Sequence, residues 1–484
     1  MQDFPFQAVR VRHVLIAALA LLLLAGCAPL RHYQSLLVLA DVGAGHGPSR
    51  WKEVTPPPRR QSVAFNVNGR DHTGDLYLPG DAEPAAGIVL VPGAVPEGKD
   101  DPRLVAFAVT LARARFAVLA PELSGVRELR VRPTDAREVA DAFAYLASRP
   151  DLAPGGRAGI GAFSYAVGPA VLAALEPDIR ERVRFIVAVG GYYDLYRAVR
   201  FFTTGYFEKD GKGGYVKPDD YGRLVFAYGA KANLRAPRDH ELIEEIAERK
   251  RRDRAADVSD LIAGLSLEAK GVYELAVNSD PARFPALLAG LPPAMLADLD
   301  ALSLHNKDLG RLKARLLLVH GRNDNLIPYP ESLALAQAAP PGKARVWLID
   351  RVLGHVDLSL GRALTWQFVS QELPDIWRML RAVDALLSER NKGPEAPQTS
   401  RARVNTQRIR VSAPRRSSRW APPEMGSGLA FFPLRPRNKT TYAGDREAEF
   451  LGDGAHGQGA FRVCSKQGFF ARVAGAQPLG KAAP

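Results

Sequence analysis

RAGIGAFSYAVGPAVLAAL, residues 157–175, is the stretch on which the fold turns. Its first part, RAGIGAF (157–163), is apolar throughout after Arg157, the pattern of a strand buried on both faces. From 167 to 175 apolar residues recur at helical spacing. Ser164 falls at the junction. A serine on a sharp strand-to-helix turn stands above the carboxyl edge of a sheet, with its hydroxyl free to react. Such a turn is crowded, so the positions two before and two after must be small. Here both are alanine, Ala162 and Ala166, with Gly161 and Gly168 just outside. Alanine meets the size requirement but not a need for positive φ, and Pro169 stands close enough to shift the helix start. The plain alternative is a small polar residue closing a strand. GIGAFS also matches two glycines of a dinucleotide fingerprint, Gly159 and Gly161, but Ser164 stands where the third belongs.

The pattern repeats on either side. SVAFNV (62–67) and GDLYLP (74–79) predict an antiparallel pair around Asn68-Gly69. AGIVLV (86–91), FAVLA (116–120) and RFIVAVG (184–190) predict buried strands. Helical spacing follows Asp101-Pro102, a cap and first helical residue, and recurs over 136–147. The alternation predicts an α/β fold: a mostly parallel twisted sheet with helices on both faces. It stops at 192–312, which reads as a helical cap insertion whose charge runs, such as KRRDR (250–254), are a solvated face. RLLLV (315–319) and RVWLI (345–349) resume the strands, and a helix over 363–387 closes a core of 62–191 and 313–390.

A serine nucleophile needs a base for its proton and a carboxylate to orient that base. HGRND (320–324) follows one strand and places Asp324 at the carboxyl edge of the sheet. LGHVD (353–357) follows the next and places His355 there. Ser164, Asp324, His355 is the chain order of a strand-elbow hydrolase, with Asp194 a second candidate for the acid. Oxyanion donors are expected from the N–H of Tyr165 and from PGAVPEG (92–98), where Gly93 lets the chain approach and Ala94 or Val95 donates. Pro96 has no N–H. The aromatic run GYYDLYRAVRFFTTGYF (191–207) suits either an acyl pocket or the core of the cap.

These motifs resemble the α/β-hydrolase fold enzymes, especially the dienelactone-hydrolase-like and esterase-like bacterial groups, over residues 62–390. The strand-Pro-Gly loop, the serine elbow, HGxxDxxxP (His320 to Pro328) and the final Gly-His carry the resemblance. It implies an esterase-like serine hydrolase acting on a small acyl substrate, without metal or cofactor. Dienelactone hydrolases proper use cysteine and haloalkane dehalogenases aspartate where Ser164 stands, so neither activity is implied. Pro92 replaces the usual histidine before the loop glycine. With Ala162 and Ala166, it leaves a second reading open, a non-catalytic envelope lipoprotein using the fold as a binding scaffold.

The amino terminus carries Arg10 and Arg12 before twelve apolar residues, VLIAALALLLLA (14–25). That run is too short for a membrane span of about 20 residues and suits a signal-peptide core. Leu24-Ala25-Gly26-Cys27 resembles a bacterial lipobox, which implies cleavage after residue 26 and lipid on Cys27. Ala28, rather than Asp, implies outer-membrane anchoring facing the periplasm. Residues 27–61 then read as a tether. Once Cys27 is lipidated, Cys464 has no intrachain partner. The net charge is +13, but residues 391–484 hold 16 basic and 6 acidic side chains, so the rest is nearly balanced. That basic tail has no sustained periodicity and reads as disordered. No zinc spacing or aromatic RNA-reading motif accompanies it, which argues against a nucleic-acid partner.

Overall fold

The computed structural model describes residues 29–253, 255–350, 353 and 372–392. Its frame is an eight-stranded sheet in the order β1-β2-β4-β3-β5-β6-β9-β10. The strands are β1 (Arg59–Val67), β2 (Arg70–Leu78), β3 (Ala86–Val91), β4 (Phe116–Pro121), β5 (Ala158–Phe163), β6 (Phe185–Val189), β9 (Arg315–Gly321) and β10 (Ala344–Ile349). β2 runs against both neighbours, and every pair from β4 to β10 is parallel. Asn68 and Gly69 take positive φ (51° and 80°), the geometry a two-residue hairpin requires between β1 and β2.

Alternate residues of the apolar strands feed two cores. Ile88 and Leu90 of β3 face one, Val89 and Val91 the other. The first core is closed by α1 (Pro29–Ala44), α2 (Arg50–Val54), α3 (Pro102–Arg113) and the last helix, α14 (Leu373–Ser388), through Val38, Trp51, Leu111 and Leu387. The second is closed by α4 (Asp135–Ala147) and α5 (Val167–Ala173), through Phe143, Leu146 and Val171. Asp101 caps α3, accepting from the N–H of Arg103 (2.8 Å), and Pro102 opens the helix.

The tether expected at 27–61 is corrected by this packing. Residues 29–54 form α1 and α2, and β1 starts at Arg59. Asp41, fully buried in α1, accepts from Lys52 Nζ (2.7 Å), Thr110 Oγ1 (2.6 Å) and Ser49 Oγ. Arg31 Nε reaches Asp384 of α14 at 2.7 Å. A buried carboxylate is tolerated only when paired and hydrogen-bonded in this way. The turn-rich sequence at 43–49 masked the helices: it is the link between them.

Between β6 and β9 lie α6 (Leu195–Thr204), α7 (Asp220–Ala230), α8 (Pro237–Arg252), α9 (Ser259–Gly264), α10 (Leu267–Val277), α11 (Phe284–Ala289) and α12 (Pro293–Leu302). The segment also holds a hairpin, β7 (Tyr206–Lys209) with β8 (Lys212–Tyr215), which the helical pattern does not predict. Its turn is Asp210-Gly211, both at positive φ. α13 (Pro330–Ala338) joins β9 to β10. No described helix is long and apolar enough to cross a membrane.

Candidate active site

β5 ends at Phe163, and the next residue, Ser164, has φ of 53°, in the left-handed region that costs a non-glycine residue about 1 kcal/mol or more. A single turn of 3-10 helix, Ser164–Ala166, then leads into α5. The positive φ falls on the serine itself. Ala162 lies in the strand and Ala166 has φ of −62°, so neither flanking position needs glycine. Pro169 sits in the first turn of α5, where a missing N–H costs nothing.

The close approach falls instead at Gly168. A Cβ there would lie 1.9 Å from the Tyr192 hydroxyl, which donates to the carbonyl of Leu302 at 3.1 Å. Beneath the elbow, the Tyr165 hydroxyl donates to Asp135 at 2.7 Å, and Arg132 holds the same carboxylate at 2.9 Å. Burial raises the Asp135 carboxyl, opposed by those hydrogen bonds. Burial and the neighbouring carboxylate push the Tyr165 phenol well above its ordinary value, so it serves as a fixed donor. The elbow is anchored at its second residue, and Ser164 stays partly exposed. Among the described residues its hydroxyl has no hydrogen-bond partner.

The loop after β3 passes beside it. A Cβ on Gly93 would lie 3.5 Å from the Phe163 carbonyl oxygen and 3.9 Å from Ser164 Cβ, so the loop backbone runs close to the elbow. The next residue, Ala94, accepts a hydrogen bond from the Tyr221 hydroxyl at 2.7 Å. Tyr221 sits in α7 and was not legible as a site residue: nothing in the sequence pairs it with 94.

Asp324 follows β9 and is buried. Its Oδ1 accepts from the N–H groups of Leu326 (2.9 Å) and Ile327 (3.0 Å). Its Oδ2 lies 3.3 Å from Nε2 of His320. His320 is fully buried; its Nε2 faces the Ile327 carbonyl (2.9 Å) and its Nδ1 the Ser332 hydroxyl (2.7 Å). A carbonyl can only accept, so Nε2 is the donor in that contact. His320 thus clamps the loop that presents Asp324. Asp194 is used elsewhere. It caps α6 by accepting from Tyr196 N (2.9 Å) and Arg197 N (3.3 Å), and it does not line the cavity at Ser164.

That cavity, of about 180 Å³, opens between the carboxyl edge of the sheet and the cap. It exceeds the roughly 150 Å³ of an apolar void that admits benzene. Ser164, Tyr165, Gly93, Ala94 and Asp324 all line it. The cap contributes Leu195, Val199, Phe202, Phe226, Met295 and Leu299, so most of the wall is apolar. The aromatic run at 191–207 divides between its two expected uses. Tyr192 and Phe202 face the cavity, whereas Phe201 is fully buried and meets Phe207 edge-on at 6.0 Å. Among the described residues no group of three or more His, Cys, Asp or Glu is gathered to hold a metal. His355 and Cys27 lie outside the described residues. Leu353, two residues before His355, packs 3.6 Å from where a Cβ on Gly321 would stand.

No protein-family model matches the sequence, and no curated protein does. Solved structures do. A putative hydrolase from Legionella pneumophila is 12% identical with a TM-score of 0.43, over 71% of this chain and 92% of that one. An esterase from Pyrobaculum calidifontis is 14% identical with a TM-score of 0.36, over 74% and 90%. A dienelactone hydrolase from Anabaena variabilis is 16% identical with a TM-score of 0.35, over 69% and 97%. The sheet itself decides the matter: one antiparallel strand, β2, in an otherwise parallel set, with a serine elbow straight after β5. The chain has the α/β-hydrolase fold. In the α/β-hydrolase fold ligands sit outside the carboxyl ends of the parallel strands, and the cavity lies there, beyond β3, β5, β6 and β9.

Proposed function

We propose that the protein is a serine hydrolase cleaving a carboxylic ester or a related acyl compound. Ser164 Oγ attacks the acyl carbon while its proton passes to His355. The oxyanion is received by the N–H groups of Tyr165 and Ala94, the second delivered by Gly93. His355 then returns the proton to the leaving oxygen as the acyl–oxygen bond breaks, and water repeats the cycle to release the acid. Asp324 orients His355.

One observation carries the reading. A strained serine, Ser164, lines an apolar cavity shared with Asp324 and with the loop at Gly93 and Ala94. Strain of this kind persists where surrounding structure over-determines it, and it clusters at reactive sites. The base is assigned to His355 from the chain order, since it follows β10 as Asp324 follows β9. The neighbours named as hydrolases and an esterase agree with the class. A cap packed solidly over Ser164 would have favoured the scaffold alternative, and the cavity removes that support.

The proposal includes a lipid on Cys27 holding the enzyme at the outer membrane. Since α1 begins at Pro29, such a lipid would seat the folded body almost directly on the bilayer. Labelling with a fluorophosphonate probe tests the chemistry. Wild type is expected to react and Ser164→Ala not to. A folded wild type that does not react would overturn the mechanism. Metabolic labelling with a fatty-acid analogue, lost in Cys27→Ser, tests the anchor.

A further inference from the structure

The wall of the Ser164 cavity also holds Arg103, in the first turn of α3, together with Asp101. Asp101 takes Arg103 Nε at 3.0 Å and Nη2 at 2.6 Å, while its Oδ1 also accepts the N–H groups of Arg103 and Leu104. The carboxylate is thereby pinned to the helix start, and the guanidinium is pinned to the carboxylate. Arg103 Nη1 is buried and has no hydrogen-bond partner. A buried donor of a permanently charged group left unpaired is costly, and a fixed end-on edge of Nη1 and Nη2 fits the two oxygens of a carboxylate.

Apart from the Ser164 hydroxyl, the other polar side chains of this wall are engaged. Tyr221 donates to Ala94, Tyr192 to Leu302, and Asn233 Nδ2 to Asp298 at 2.9 Å. Asp101 is held by Arg103 and Asp324 by backbone N–H groups. Arg103, whose side chain is 23% exposed, is the one cationic residue among the described residues of this mostly apolar wall, which therefore suits an apolar body with one anionic end.

We infer that the substrate is an amphiphilic acyl compound bearing a carboxylate, which Arg103 receives while the scissile ester lies at Ser164. The inference rests on the hydrolase reading for the ester, but not for the anion.

Two measurements on the full chain separate them. The first compares hydrolysis of the nitrophenyl half-ester of adipic acid with that of its methyl-capped diester, identical but for the charge. Wild type is expected to favour the half-ester in kcat/KM by about tenfold or more. Arg103→Gln is expected to bring that ratio towards one, and Arg103→Lys to keep part of it. A wild-type ratio of one, or a ratio unchanged in Arg103→Gln, would overturn the inference. The second is calorimetric binding of adipate to Ser164→Ala, expected to weaken about tenfold when Arg103→Gln is added. Absence of adipate binding would overturn the anion site whatever the turnover. Adipate binding by a protein that no fluorophosphonate labels would leave the anion site standing and sink the hydrolase reading alone.

Discussion

The Tyr221 hydroxyl donates to the carbonyl oxygen of Ala94 at 2.7 Å. A helix of the cap thus holds the backbone that runs beside Ser164, so the cap and the loop geometry are mechanically joined. Burial raises the Tyr221 phenol, which keeps it a donor across the working pH range. Tyr221→Phe keeps the ring and removes one neutral hydrogen bond, expected to cost about 1 kcal/mol of stability. On a nitrophenyl ester kcat/KM should fall about fivefold through loosening of the loop at Ala94. An unchanged kcat/KM would mean that the loop holds its own shape.

Ser164 carries backbone strain, with φ of 53° in the left-handed region. Both Ser164→Ala and Ser164→Gly should lose fluorophosphonate labelling. They should differ in stability, because glycine accepts the φ of 53° without a Cβ clash. Denaturant melts are expected to place Ser164→Gly about 1 kcal/mol above Ser164→Ala. The reverse order would show that the turn is relaxed.

Asp41 tests whether the amino-terminal helices belong to the body. Asp41→Ala leaves Lys52, whose side chain is 22% exposed, without its buried partner and Thr110 without an acceptor side chain. Removing one member of such a pair is expected to cost about 3 kcal/mol, read as a fall in Tm. A flexible tether would show no change.

Acid should destabilise the protein within a defined window. Partial burial acts to raise Asp100, but hydrogen bonds from Arg127 and Lys99 outweigh it and hold the carboxyl at about 2. Asp75, Asp101 and Asp141 are likewise lowered by cationic partners against the cost of burial. Below pH 3.8, the ordinary value for these groups, the unfolded chain takes up protons that the folded chain still refuses. Stability is therefore fully present above that pH and is lost as pH falls towards about 2. Thermal melts from pH 6 to pH 2 should show the decline, with a shallower slope in Asp100→Asn.

Much of this was legible in the residues. The run at 86–91 is β3 to the residue, because a strand buried on both faces must be apolar throughout. The elbow was legible as small residues around Ser164, although the tightest contact is at Gly168, under a tyrosine that no local pattern points to. The hairpin β7–β8 carried a visible signal in Asp210-Gly211 that the surrounding helical periodicity obscured. In α1, buried Asp41 breaks the polarity rule by which an amphipathic helix is recognised, since its partners come from 49, 52 and 110.

Alternating runs of buried strand and amphipathic helix determined the layered sheet, and the junction at Ser164 determined where a nucleophile could stand. Those are local properties: backbone periodicity and the bulk of adjacent side chains act over a few residues. The tertiary structure alone decided what shares a cavity with Ser164. Arg103, Tyr221 and Met295 come from three different elements, and their meeting depends on how the cap seats on the sheet. Contacts between residues so distant in sequence are set by packing of whole surfaces, which no short stretch of chain encodes.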